Sequence, residues 1–164
     1  MELLLVRHAV AVARSDDLPD PDRPLTDKGV RRFSREVEGL RRLDAGLDDI
    51  LHSPWLRAAQ TARLLSILAD GAILASSNLA APPGEALLAE LAELTDDGRH
   101  ALVGHEPWLG QLLAWLVTGN AGLGDSLPFK KGGVAWVAGR PRPGAMTLAA
   151  MLPPRALRRL ELTG

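Results

Sequence analysis

The chain has 164 residues, 46% of them hydrophobic and 24% charged, a balance that suits a globular fold with a sizeable core. Its formal net charge of −1 gives no overall basic field, so composition offers no case for nucleic acid. It contains no cysteine, which excludes disulfides, thiolate metal ligands and a cysteine nucleophile.

Leu3-Leu4-Leu5-Val6 is a continuous apolar run, as in a strand buried on both faces. Residues 15–24 are rich in Asp and Pro and read as a surface loop. Thr26 is a natural cap for a helix with Val30, Phe33, Val37 and Leu40 at helical spacing, stopped near Gly46. Asp49–His52 reads as a second strand. Ser53 as N-cap and Pro54 as first helical residue then open a helix that runs to Gly71. Residues 72–79 are weakly strand-like, and Pro82-Pro83 opens a helix through Leu87, Leu88 and Leu91. Ala101–Val103 is another buried strand, followed by a helix from Pro107 that Gly119 closes. Val134–Ala138 and Met146–Met151 flank a Gly/Pro-rich turn and predict an antiparallel hairpin at the sheet edge. The order predicts an α/β fold, a three-layer α/β/α sandwich with a mostly parallel sheet and an antiparallel edge, as one domain over 1–164. Residues 1–6 lack a signal-peptide h-region, and no apolar run approaches the ~20 residues that span a bilayer. The expectation is a cytoplasmic protein with no membrane partner.

Three strand-to-helix junctions carry polar side chains suited to chemistry: Arg7-His8, Ser53-Pro54-Trp55-Leu56-Arg57 and Gly104-His105-Glu106-Pro107. In a parallel sheet these carboxyl ends share one rim, where ligands bind. A neutral imidazole is a competent nucleophile toward phosphorus, and guanidinium forks match phosphate oxygens. Each fragment also has a plain reading: a polar strand end, a solvated arginine, a histidine satisfied by backbone. Their joint placement favours a phosphoryl pocket. Gln60 and Thr61 share the Arg57 face. Glu106 reads equally as a proton donor or as a charge favoured at a helix start. His52 reads as a strand end and His100 as solvated. Arginines around one pocket repel a cation, so no metal is expected; no cofactor is expected either. Trp108, Trp115 and Trp136 read as core.

The motifs Val6-Arg7-His8-Ala9, Arg23-Pro24-Leu25-Thr26-x-x-Gly29, Ser53-Pro54-x-x-Arg57-Ala58-x-Gln60-Thr61-Ala62 and Val103-Gly104-His105-Glu106-Pro107 keep a familiar order. With the late Phe129-Lys130-Lys131-Gly132-Gly133 segment, they resemble the histidine phosphatase superfamily, or phosphoglycerate mutase-like fold, and within it the small bacterial SixA-type phosphohistidine phosphatases. The resemblance implies that His8 is the phosphorylated nucleophile and that Arg7, Arg57 and His105 complete the phosphate pocket. Ser53 and Lys130 are further candidate substrate contacts, though a Lys pair also guards sheet edges. Ala9 stands where the wider family usually has Gly, and no counterpart of the mutases' acidic residue is found between Arg57 and His105. The acid is therefore unassigned, with Glu106 the first candidate.

These readings imply a metal-independent phosphatase with a phosphohistidine intermediate. Its substrate would be phosphohistidine on a signalling protein, such as a histidine-containing phosphotransfer domain. A small-molecule phosphoester phosphatase or phosphomutase, and a silent phosphate-binding module on the same fold, are the alternatives.

Overall fold

The computed structural model describes residues 1–161. Six strands form one sheet in the order β3-β2-β4-β1-β5-β6. They are β1 (Glu2–Arg7), β2 (Ile50–His52), β3 (Ile73–Ala75), β4 (Arg99–Gly104), β5 (Val134–Gly139) and β6 (Met146–Leu152). The first four run parallel, and β5 and β6 make the antiparallel edge. Five helices cover the faces: α1 (Asp27–Arg42), α2 (Leu56–Leu65), α3 (Glu85–Ala92), α4 (Trp108–Thr118) and α5 (Pro154–Leu160).

The apolar run of β1 is divided by the strand's period of two. Leu4 and Val6 join Phe33, Val37 and Leu40 of α1, Ala58 and Leu65 of α2, and Leu157 of α5 on one face. Leu3 and Leu5 join Leu87 and Leu91 of α3 and Leu109, Leu112 and Leu116 of α4 on the other. The result is the expected three-layer α/β/α sandwich. Phe33 is fully buried, and its truncation to Ala would cost roughly 3–5 kcal/mol.

Several boundaries differ from expectation. Thr26 caps α1 as anticipated, accepting the Gly29 N–H at 2.9 Å, but Val30 on its first turn is exposed. The residue in the left-handed region after α1 is Asp44 rather than Gly46. The helix expected from Ser53 starts at Leu56 with Trp55 as cap; the Ser53 hydroxyl accepts the Trp55 N–H at 3.3 Å and also lies 2.7 Å from His105 Nε2. Residues 72–79 split into β3 and a 3₁₀ turn at Ser77–Ala80. Helix α5 was not anticipated. His100, expected in solvent, is fully buried, with Nδ1 3.3 Å from Asp49 Oδ2.

Candidate active site

The register brings the three junctions together. Arg7 pairs with Gly104 across β1 and β4, and His52 pairs with Val103 across β2 and β4. Chain direction then places His8, Ser53 and His105 on one rim, beside the opening of β5. The His8 backbone is clamped there: its N–H donates to Gly104 O at 3.1 Å, and its carbonyl accepts the Gly132 N–H at 3.2 Å. Gly132 has φ +81°, a conformation that L side chains rarely adopt.

The ring of His8 is fixed at both nitrogens. Nδ1 lies 2.7 Å from the Ala9 carbonyl, which only accepts, so Nδ1 carries the proton. Nε2 lies 3.2 Å from the Nε–H of Arg57, which only donates, so Nε2 presents its lone pair. Burial lowers the His8 pKa to about 3; Arg57, Arg7 and Lys131 add to the shift, and the Ala9 carbonyl opposes it. Thr61 supports this geometry by accepting the Ala9 N–H at 3.0 Å and donating to the Arg57 carbonyl at 2.6 Å.

Arg57 is 2% exposed. It donates through Nη1 to the Asp20 carbonyl at 2.5 Å and through Nη2 to Asp20 Oδ2 at 3.1 Å, and it stacks on Trp55. Asp20 also binds Arg23 at 2.7 Å and Arg14 at 3.0 Å, so the Asp/Pro-rich loop is tied to the site instead of standing free in solvent.

His105 lies beside His8, with ring centroids 5.1 Å apart, and packs against Trp55 and Trp108. Burial, with His8 and Arg57 as neighbours, lowers its pKa to about 3. Its Nε2 is 2.7 Å from Ser53 Oγ. Ser53 was anticipated as a substrate contact. It is fully buried and does not line the cleft, and its hydroxyl holds His105 instead. His105 Nδ1 and Arg7 Nε are buried with no hydrogen-bond partner. Orphan nitrogens of this kind are costly, and a role in binding or catalysis is one explanation for keeping them.

Glu106 lines the cleft, but backbone donors occupy its carboxylate. One oxygen accepts the Phe129 N–H and the other the Gly110 N–H at 3.2 Å. The Phe129 carbonyl in turn accepts from Arg7 Nη1. Glu106 therefore reaches Arg7 through one residue of backbone.

The cleft has a volume of about 460 Å³ and is lined by Arg7, His8, Arg57, His105 and Glu106, together with Arg14, Arg23, Lys131, Trp55 and Trp108. Lys130, anticipated here, lines a neighbouring groove, while its neighbour Lys131 lines both. Arg14 and Asp20 were missed, because their loop offers no periodicity that shows how it folds back. Trp108, expected in the core, is a half-buried wall of the cleft. Among the described residues, no group of His, Asp and Glu side chains is arranged to hold a metal ion. No described helix is long and apolar enough to cross a membrane.

Residues 3–79 match the histidine phosphatase superfamily (branch 1). The chain belongs to the histidine phosphatase superfamily. It is a phosphatase of that superfamily with the phosphoglycerate mutase-like fold. An uncharacterized protein of Picosynechococcus sp. is 38% identical over 138 residues, 82% of each chain. A structure assigned as phosphohistidine phosphatase SixA from Agrobacterium tumefaciens is 25% identical, with TM-score 0.77 over 93% of this chain and 97% of that one. The protein histidine phosphatase SixA in complex with tungstate shares the fold at 24% identity, with TM-score 0.80 over 96% of this chain and 99% of that one.

Proposed function

We propose that this histidine phosphatase is metal-independent and removes phosphoryl groups from phosphohistidine on a signalling protein, such as a histidine-containing phosphotransfer domain. The observation that carries the reading is the unprotonated Nε2 of His8, held 3.2 Å from Arg57 Nε in a cleft lined by arginines. The likeness to proteins called SixA phosphohistidine phosphatases suggests the substrate class.

In the first step the Nε2 lone pair attacks phosphorus in line. The bond from phosphorus to the substrate imidazole breaks, and that imidazole departs with the bonding pair. Arg7 and Arg57 neutralise the equatorial oxygens, and His105 Nδ1 adds a further polar contact. Donors fixed in advance supply the largest share of stabilisation in such transfers. In the second step water attacks phosphorus, the bond to Nε2 breaks, and phosphate leaves. A protonated imidazole departs readily, so hydrolysis of a phosphoramidate needs less help from an acid than hydrolysis of an ester. Ser53 acts by positioning His105, and Glu106 by positioning Arg7 through Phe129.

Incubation with phosphohistidine peptide, followed by alkaline quench, tests the scheme. Base-stable phosphate on His8 is expected. His8→Ala should abolish turnover, and Arg57→Ala should lower it by roughly 10²–10³. EDTA should leave the rate unchanged. Full activity in either variant refutes the assignment.

A further inference from the structure

A second depression of about 290 Å³ opens beside the cleft. Its wall includes Ala9 and Val10, the residues that follow His8. The rest is strongly basic: Arg32 from α1, Lys130 and Lys131 from the loop before β5, and Arg155 and Arg158 from α5, against the lone carboxylate of Glu36. Arg158 is paired with Glu36. The other four cations are exposed and have no ion-pair partner among the described residues.

Two features give this surface meaning. A chain with net charge −1 has acids enough to pair its bases, so a face of unpaired cations is not imposed by composition. Lys131 lines both the groove and the catalytic cleft, so the two adjoin at that side chain. The cations also stand on three separate segments and remain in solvent. That spacing suits charge distributed along a polypeptide better than one compact anion, which a converging, buried cradle would hold.

We propose that this groove docks an acidic stretch of the phosphorylated protein, laid alongside α1 and α5 while its phosphohistidine enters the cleft. The proposal rests on the phosphohistidine reading of the site and adds a rule of selection: targets carry glutamate or aspartate next to the phosphorylated residue.

Two synthetic phosphohistidine peptides test it, one flanked by a run of glutamates and one by glutamines, with free phosphohistidine as the reference. At low salt kcat/KM should favour the acidic peptide by about tenfold or more, and the preference should shrink at high salt as screening sets in. The double variant Arg32→Glu/Arg155→Glu should lose most of that preference, measured as the ratio between the two peptides. A general loss of activity cancels in this ratio. Equal turnover of the two peptides by the unaltered protein, or full preference retained by the variant, overturns the proposal. Stronger inhibition by an oligothymidine than by oligoglutamate assigns the groove to nucleic acid and also overturns it. Failure to hydrolyse free phosphohistidine or either peptide, with His8 still labelled by a phosphoester, removes the substrate class itself and the docking rule with it.

Discussion

Arg57 Nε points its hydrogen at His8 Nε2 from 3.2 Å, while the far side of the same imidazole donates to the Ala9 carbonyl. The pair fixes both tautomer and charge: were Nε2 protonated, two donors would face each other there, because the Arg57 Nε–H cannot accept. Arg57 thereby keeps the attacking nitrogen unprotonated before any phosphoryl group arrives, and its guanidinium is already in place to meet one.

The first prediction concerns pH. His8 and His105 both have folded-state pKa values lowered from the ordinary 6.5 to about 3, chiefly by burial. Between those values the unfolded chain binds protons that the folded chain refuses. Their stabilising contribution is therefore complete above about pH 6.5 and is lost as pH falls toward 3, by on the order of a few kcal/mol per group. Imidazole ¹⁵N shifts of both rings should stay those of neutral histidine from about pH 8 to 4.5, and the urea midpoint should fall across the acid window. Titration of either ring near pH 6.5 would contradict this environment.

The second prediction separates two roles for Glu106. Its oxygens accept from the Phe129 and Gly110 N–H groups, and Phe129 holds Arg7. A glutamine keeps an acceptor for Phe129, whereas an alanine leaves that N–H unpaired at a cost of about 1–3 kcal/mol. Glu106→Gln should stay within roughly fivefold of wild-type kcat/KM, and Glu106→Ala should fall by about 10- to 100-fold, the same penalty read as a rate. If glutamine is as damaging as alanine, and more so with poor leaving groups, Glu106 is a proton donor instead.

Much of the fold was legible because both-face burial leaves an unmistakable mark. The runs Leu3–Val6 in β1 and Ala101–Val103 in β4 contain no polar residue, and their ends name the rim where Arg7, His8 and His105 stand. Helix α5 was not legible: it is short, Arg155, Arg158 and Arg159 dominate it, and only Pro154 and Leu157 are buried. The Ser53 hydroxyl reads as a cap because Ser-Pro usually opens a helix, and it does accept the Trp55 N–H; its second partner, His105, is fifty-two residues away and no local pattern shows it. The contact of Asp20 with Arg57 escaped for a related reason: a loop folds back to place it, and no local pattern encodes that return.

Asp20 supplies the third prediction. Its carboxylate lies against Arg57, Arg23 and Arg14, and these arginines hold its pKa below the usual carboxylate value against the opposing effect of desolvation. The negative charge therefore persists at neutral pH and opposes an arriving phosphate. Asp20→Asn preserves the carbonyl contact to Arg57 Nη1 and a side-chain oxygen for Nη2. Orthophosphate should inhibit this variant about three- to tenfold more tightly at constant ionic strength, the size expected for one unit charge several ångströms away at a partly exposed site. Weaker inhibition would show that aiming Arg57 outweighs the charge.

The last prediction concerns Glu36, 3% exposed beneath the loop that clamps His8. A Cβ on Gly132 would lie 2.2 Å from its Oε2, so carboxylate and loop are in close contact. Burial raises the Glu36 pKa from 4.5 to about 7, even with Arg158 opposing. The sign is opposite to that of the histidines: the folded chain holds a proton that the unfolded chain releases. The stabilising contribution is present below about pH 4.5 and is lost as pH rises through 7. At pH 8 the charged carboxylate depends on Arg158, so Arg158→Met should cost about 3–5 kcal/mol. At pH 5 Glu36 is protonated with or without the arginine, and the same substitution should cost far less. Glu36→Gln should be at least as stable as wild type at pH 8. Histidine protonation is common to every variant and cancels in these differences. Urea unfolding of the three proteins at both pH values decides the matter, and an Arg158→Met penalty of equal size at pH 5 and 8 would mean that the ion pair is not what the buried carboxylate relies on.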